Sequence, residues 1–348
     1  MKLYVMKRRN ILPIIVVFVF ISFFVSLVPL LTLMARKEND KSTATKLKSS
    51  IEEAMPNTLP LPLRLPNDHN IHFLKEPLLS GKGEHHCSNG RESTWTMVTF
   101  VKSTATNFDR CNLLRSTWAS LKKIENRSLF TVFVIGKTDS DVQALIDEEH
   151  ETYHDILQIT KTENYHNIGF KTLAGMKWAS ENLPSNYYYS TSDDDMWIDM
   201  LKVKELIDHY RGVVVEKEWP EFPIICTYKW WNGSLQPIRT PTDKNYVSKE
   251  QYPWPYWPAF CFGGMYTTSV SVIKQLWELS AFSKTYYNAD DVWITGLLRH
   301  RLGMPNEMMI RPDQVVAKHY HGFENNDVNV THFEQWDELR QKTDNITC

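Results

Sequence analysis

Three consecutive carboxylates, Asp193-Asp194-Asp195, follow the run Tyr187–Ser192 and precede Met196-Trp197-Ile198. Three adjacent negative charges repel one another unless a cation neutralises them. In an extended segment alternate residues project to the same side, so Asp193 and Asp195 can converge on one ion. Hard oxygen donors of this kind suit Mg²⁺ or Mn²⁺ bound together with a diphosphate. A solvated acidic turn has the same spelling, but the apolar flanks make it an expensive place for unpaired charge. A second pair, Asp290-Asp291, opens the run 290–303, in which Val292, Leu298 and either Leu297 or Ile294 form an apolar stripe at helical spacing. A carboxylate there either caps the helix or faces a cleft as a general base. Between the two acidic sites, residues 251–266 alternate proline with aromatic rings before Gly263-Gly264. Such rings either stack on sugar faces or fill a core, and the glycines allow close backbone approach.

These groups need a frame, and the apolar periodicity supplies one. The segment around Trp95–Val101 reads as a buried strand, and Asn107–Leu121 as a helix with Cys111, Leu114, Trp118 and Leu121 on one face. Strands follow at 129–136 and 155–159, with a polar helix start at Asp139 between them. Phe170, Leu173, Ala174 and Trp178 lie at helical spacing, and Tyr187-Tyr188-Tyr189 begins the strand that runs into the triplet. Alternating strands and helices predict an α/β fold with a mostly parallel central sheet. Ligands collect at the carboxyl ends of the strands in such sheets.

The chain has 348 residues, 42% of them hydrophobic, with 12 Trp, 15 Tyr and 16 Phe, too aromatic for a disordered polymer. Its 13 Gly and 17 Pro exclude collagen-like and low-complexity classes. Lys2, Lys7, Arg8, Arg9, Arg36 and Lys37 are the only charges of residues 1–37. The remainder holds 33 basic against 41 acidic residues, a net −8. A body that acidic argues against nucleic acid as a partner.

Residues 11–34 carry no charge, long enough to cross a bilayer as a helix. Lys7-Arg8-Arg9 precede them, which favours a cytoplasmic N-terminus. The expected layout is a cytoplasmic tail (1–10), a signal-anchor helix (11–34), a proline-punctuated stem (35–93) and a lumenal body (94–348). A cleaved signal and a secreted protein is the alternative. Asn126, Asn232, Asn329 and Asn345 each begin a glycosylation sequon. Cys87, Cys111, Cys226, Cys261 and Cys348 lack metal-type spacing and suit disulfides of open connectivity, with at least one left over.

Taken in order, five blocks resemble the β-1,3-galactosyltransferase and β-1,3-N-acetylglucosaminyltransferase family of Golgi enzymes across residues 95–305. They are the segment 100–118 with Leu114-Arg115-Ser116-Thr117-Trp118; 163–184 with Tyr165, Asn167, Lys171, Thr172 and Trp178; the Asp193–Asp195 triplet; 257–269; and 288–298 with Asp290-Asp291. Trp257 and Phe260 stand where the family has tyrosines, Met265 where it has glycine, and Asp290 where Glu is commonest. The resemblance implies a GT-A-like nucleotide-sugar-binding sandwich and an inverting hexosyltransferase, anchored in the Golgi membrane with a lumenal catalytic domain. It would move galactose or N-acetylglucosamine from a UDP-sugar, with Mn²⁺, onto the 3-hydroxyl of a lipid- or protein-linked glycan. By carry-over, Asp193, Asp194 and Arg115 would contact the donor. Asp195 and Asp193, with His319 or His321, would hold the metal, and Asp291, or Asp290, would be the base. A catalytically inactive lumenal glycan-binding protein or chaperone on the same fold is the rival expectation.

Overall fold

β-Branched and aromatic residues fill Trp95–Lys102, which forms strand β2, buried at all eight positions. The computed structural model describes residues 69–79, 95–282, 289–320 and the helix 326–344, with side chains of that helix from 333 to 343. All of them belong to the unit Asn57–Cys348.

Along the chain, strand β1 (Phe73–Lys75) precedes β2, and helix α1 (Phe108–Ser116), β3 (Lys123–Ile124) and β4 (Arg127–Lys137) follow it. Next come α2 (Ser140–Tyr153), β5 (Ile156–Thr162), α3 (Ile168–Asn182), β6 (Tyr188–Asp193) and β7 (Met196–Ile198). Helix α4 (Met200–Glu216) leads to β8 (Ile224–Cys226), and β9 (Lys229–Trp230) and β10 (Phe260–Cys261) bracket a long excursion. Strand β11 (Met265–Ser269), α5 (Val270–Ala281), β12 (Met309–Ile310), β13 (Ala317–His319) and α6 (Asn326–Asp344) complete the set.

The main sheet runs β1-β5-β4-β2-β6-β11-β8-β12, with β3 against β4. Strands β5, β4, β2 and β6 are mutually parallel because each is reached through a crossover helix. Strands β1, β3 and β11 pair antiparallel. The fold is therefore mixed α/β, which corrects the expectation of a mostly parallel sheet. Strand β11 follows the β9–β10 excursion rather than a crossover helix, and so runs against both neighbours.

Strand β1 lies within the segment 35–93 expected as a stem. It pairs with β5, and Ile71 is fully buried in the core. Three strand residues between Pro66 and Pro77 carry too little periodicity to stand out from a proline-rich segment.

Helix α3 lies on one face of the sheet, burying Leu173, Ala174, Met176 and Trp178 with Phe100 and Tyr189. Gly175 makes the close approach possible, since a Cβ there would sit 3.1 Å from the Phe100 ring. Trp118, Met196, Trp197, Val203 and Ile207 pack the opposite face. The helical run starting at Asp290 has π-helical turns at Val292–Leu298, and all seven of those residues are buried. The one-sided stripe expected there is thus a segment enclosed on every side.

No helix among the described residues is long and apolar enough to cross a membrane. The expected span at 11–34 lies outside the described residues, as do Cys87, His321, Asn345, Cys348 and the side chain of Asn329. Asn126 occupies the turn between β3 and β4, next to Glu125 at φ 51°. Asn232 occupies a turn in which Ser234 N donates to the Trp231 carbonyl at 3.0 Å.

Candidate active site

Alternation along β6 decides which carboxylates of the triplet face one another. Asp193 ends the strand directly opposite Lys102 of β2. Asp194 turns the other way and is buried at 7% exposure. Its oxygens accept from Ser103 Oγ at 2.7 Å, Asn107 Nδ2 at 2.8 Å and Arg110 Nη1 at 3.0 Å. That carboxylate fastens the end of β6 to the start of α1. Three of its acceptor sites are thus taken from within the protein, at the residue where the resemblance implies a donor contact.

Asp195 lies in the turn before β7, which pairs antiparallel with β13 so that His319 stands opposite Met196. Nε2 of His319 comes within 3.1 Å of Asp195 Oδ2, and Tyr320 N donates to the Asp195 carbonyl at 2.9 Å. One ligand atom each from Asp193, Asp195 and His319 lies within 4.8 Å of the others. Asp195 Oδ1 is buried without a hydrogen-bond partner, a costly arrangement unless something else takes the lone pairs. Two oxygens, one imidazole nitrogen and an orphaned carboxylate oxygen fit a divalent cation. Burial pushes both carboxyls above their ordinary values, against the opposing pull of Lys102 on Asp193 and His319 on Asp195.

The second acidic pair is split in the same way. Asp290 is buried, and its Oδ2 accepts from Thr172 Oγ1 on α3 and from Lys102 Nζ at 3.4 Å. Asp291 is only half-buried. Its Oδ1 accepts from the Val292 amide at 2.8 Å, capping the helical run, and its Oδ2 from the Gly263 amide at 3.2 Å. A Cβ on residue 263 would lie 3.2 Å from Asp291 Cβ, so glycine is what lets the turn between β10 and β11 approach. Burial, then the charge of Asp290, push the Asp291 carboxyl up to about 7. Capping and a poised carboxylate are both present in this one residue.

Lys102 joins the two halves. Its buried ammonium lies 3.0 Å from Asp193 Oδ1 and 3.4 Å from Asp290 Oδ2, and donates to the Gly263 carbonyl at 3.1 Å. Despite burial, these carboxylates hold it protonated. Sequence reasoning passed over it; the available signal was a lone cation ending the otherwise uncharged strand of residues 95–101.

Arg115 is elsewhere. Nε and Nη2 donate to Asp155 at 2.8 and 2.7 Å, Nη1 to Glu149 at 2.5 Å, and the guanidinium lies over the rings of Phe133 and Tyr153. It ties α1 to α2 and the start of β5 through ion pairs with Glu149 and Asp155. In the aromatic segment 251–266, Tyr252, Trp257, Phe260 and Tyr266 are buried in the core, and Trp254, Tyr256 and Phe262 are half-buried. Exposed rings of the same region stand at Tyr228, Trp231 and Tyr246. A disulfide between Cys226 and Cys261 closes that excursion. Cys111 is a buried free thiol, pushed up to about 12 by burial.

Residues 109–309 match the family model described as Galactosyltransferase. The chain is 28% identical over 219 residues to "Beta-1,3-galactosyltransferase 5" of Pan paniscus, covering 62% of this chain and 67% of that protein. It is 27% identical over 219 residues to "Lactosylceramide 1,3-N-acetyl-beta-D-glucosaminyltransferase" of Rattus norvegicus, covering 60% of this chain and 55% of that protein. A solved glycosyltransferase involved in glycosylation of the major capsid of PBCV-1 aligns with 69% of this chain and 99% of its own at 10% identity. Its TM-score of 0.36 is too low to carry an argument.

Proposed function

The chain belongs to the galactosyltransferase family, and from that premise we propose that it moves galactose or N-acetylglucosamine from a UDP-sugar to the 3-hydroxyl of an acceptor glycan, with inversion to a β-1,3 linkage. The fold in this reading is a GT-A-like sandwich, and the catalytic body is held in the Golgi lumen by an N-terminal anchor at residues 11–34. The observation that carries the proposal is the joining of two acidic sites through one buried lysine, with a cation cluster on one side and a half-buried carboxylate on the other.

Asp193, Asp195 and His319 are the residues that would hold Mn²⁺. When bound, the ion offsets the charge that develops on the departing diphosphate. Asp291 accepts the proton of the acceptor hydroxyl as that oxygen attacks C1 of the donor sugar. The new C1–O bond forms on the face opposite the breaking bond to UDP, whose electron pair leaves with the phosphate. A carboxyl raised to about 7 is a stronger base than an ordinary aspartate yet still ionises near neutral pH. Lys102 and Thr172 hold Asp290 in the interior, leaving Asp291 as the member of the pair that meets solvent.

The test is a donor screen on the purified chain with Mn²⁺, a panel of UDP-sugars and β-linked oligosaccharide acceptors, read as UDP release and product mass. Transfer of one hexose class with metal dependence supports the proposal. Donor and metal binding with no transfer to any acceptor would favour an inactive glycan-binding protein.

A further inference from the structure

Beside the cation cluster a row of aromatic rings leads away across the β9–β10 ribbon. The Phe262 ring stands edge-on to His319, centroids 5.7 Å apart. Phe262 N donates to the Tyr228 carbonyl at 2.8 Å, which extends the ribbon by one pair and sets residues 228 and 262 opposite each other. Residues directly opposite in an antiparallel pair project to the same face, and so do residues two apart along a strand. Tyr228, Phe262, Trp230 and Phe260 therefore share one face. The Tyr228 and Trp230 rings are 5.1 Å apart, and Trp230 stacks on Phe260.

This row is rigid at its base and open at its middle. The Cys226–Cys261 disulfide closes it, and Lys229 Nζ fixes it from below through the carbonyls of Asn306 at 2.7 Å and Met309 at 2.9 Å. Tyr228 is 38% exposed, although the Trp230 ring packs against it. The Arg311 guanidinium lies over one face of that ring, 4.8 Å from its centroid, and brings several donors to it while the other face stays available to a ligand. One residue past Phe262, the Gly263 amide holds Asp291.

The geometry points to the Tyr228 row as the subsite for the acceptor glycan, a conclusion that rests on the transferase reading. A pyranose has an apolar C–H face and a polar rim, which match a half-exposed ring beside a guanidinium. The row begins at Phe262, one residue from the Gly263 amide that holds Asp291, where the reacting hydroxyl must lie, so the sugars behind that hydroxyl run over Phe262, Tyr228 and Trp230. Specificity for the acceptor is then set on this ribbon, apart from the groups that hold the donor.

Binding can be measured without turnover. The probes are benzyl β-galactoside, benzyl β-N-acetylglucosaminide and benzyl β-lactoside, with saturation-transfer NMR on the full chain holding Mn²⁺ and UDP. Tyr228→Ala should weaken the bound glycoside roughly tenfold, Arg311→Ala should weaken it less, and Tyr228→Phe should retain it. UDP affinity should be the same in all of them, which also confirms that each variant is folded. Equal glycoside affinity in Tyr228→Ala and wild type would overturn the subsite, and so would a wild type that binds none of the three. Failure of wild type to bind UDP with Mn²⁺ would instead overturn the transferase reading, and the two results are read from separate titrations.

Discussion

Lys102 lies 3.0 Å from Asp193, and the same buried ammonium reaches the Asp290 carboxylate at 3.4 Å. One cation thus neutralises a carboxylate from each acidic site. Breaking a buried ion pair by removing one partner leaves an uncompensated charge and costs about 3–5 kcal/mol. Lys102→Met should destabilise the metal-free protein on that scale in urea unfolding. Adding Asp290→Asn should recover part of the loss, because the two changes act on one network. An unchanged unfolding midpoint would show that Lys102 does not hold the carboxylates together.

Arg115 separates a structural role from a donor contact. Its guanidinium is bonded to Asp155 and Glu149 and not to the triplet. Arg115→Met should lower stability by about 1–3 kcal/mol, the range for lost hydrogen bonds to charged groups. The KM for the UDP-sugar should stay at the wild-type value. A raised donor KM at unchanged stability would reverse the assignment.

His319 is brought to Asp195 by the β7–β13 pairing rather than by nearness in sequence. Its loss should cost at least what removing an outer partner of a metal ligand costs, on the order of tenfold in affinity. Titration of Mn²⁺ into the UDP complex of His319→Ala and Asp195→Asn checks this. Wild-type affinity in both variants would remove the cluster as the metal site.

Much of this frame is legible in the residues themselves. The parallel strands and their crossover helices follow from apolar runs and helical spacing, and alternation along 193–195 correctly sets Asp194 apart from its neighbours. What the sequence hides is set by pairing at a distance. Nothing in the spacing of 193 and 319 brings β13 beside β7, and nothing in the proline-rich approach to residue 73 marks β1 as a sheet edge. Arg115 reads as a phosphate ligand until Asp155, Glu149 and two rings surround it. The aromatic segment 251–266 reads equally as stacking or packing, and burial of Tyr252 and Trp257 decides for packing at those two rings. Lys102 reads as the end of a strand, and only the register with Asp193 gives it a second purpose.

The Asp291 carboxyl is raised to about 7 by burial and by Asp290. A base must be ionised, so kcat/KM should fall as pH drops through about 7, well above the usual carboxylate range. The same shift means that the fold binds more protons than the unfolded chain between the ordinary aspartate value and 7. Stability of the metal-free protein from this group therefore falls as pH rises across that window. Asp291→Asn should flatten that part of the stability profile.

The most direct measurement is kcat for Asp291→Asn and Asp290→Asn side by side, with UDP and Mn²⁺ binding by calorimetry as a control for folding. Asn keeps one oxygen for the Val292 amide, so capping survives while the base and the bond from the Gly263 amide are lost. With Asp291 as the base, Asp291→Asn binds UDP and Mn²⁺ as wild type does but turns over on the order of 10²-fold or more slowly, while Asp290→Asn keeps most of its turnover. Undiminished kcat in Asp291→Asn, or a loss confined to Asp290→Asn, would contradict it.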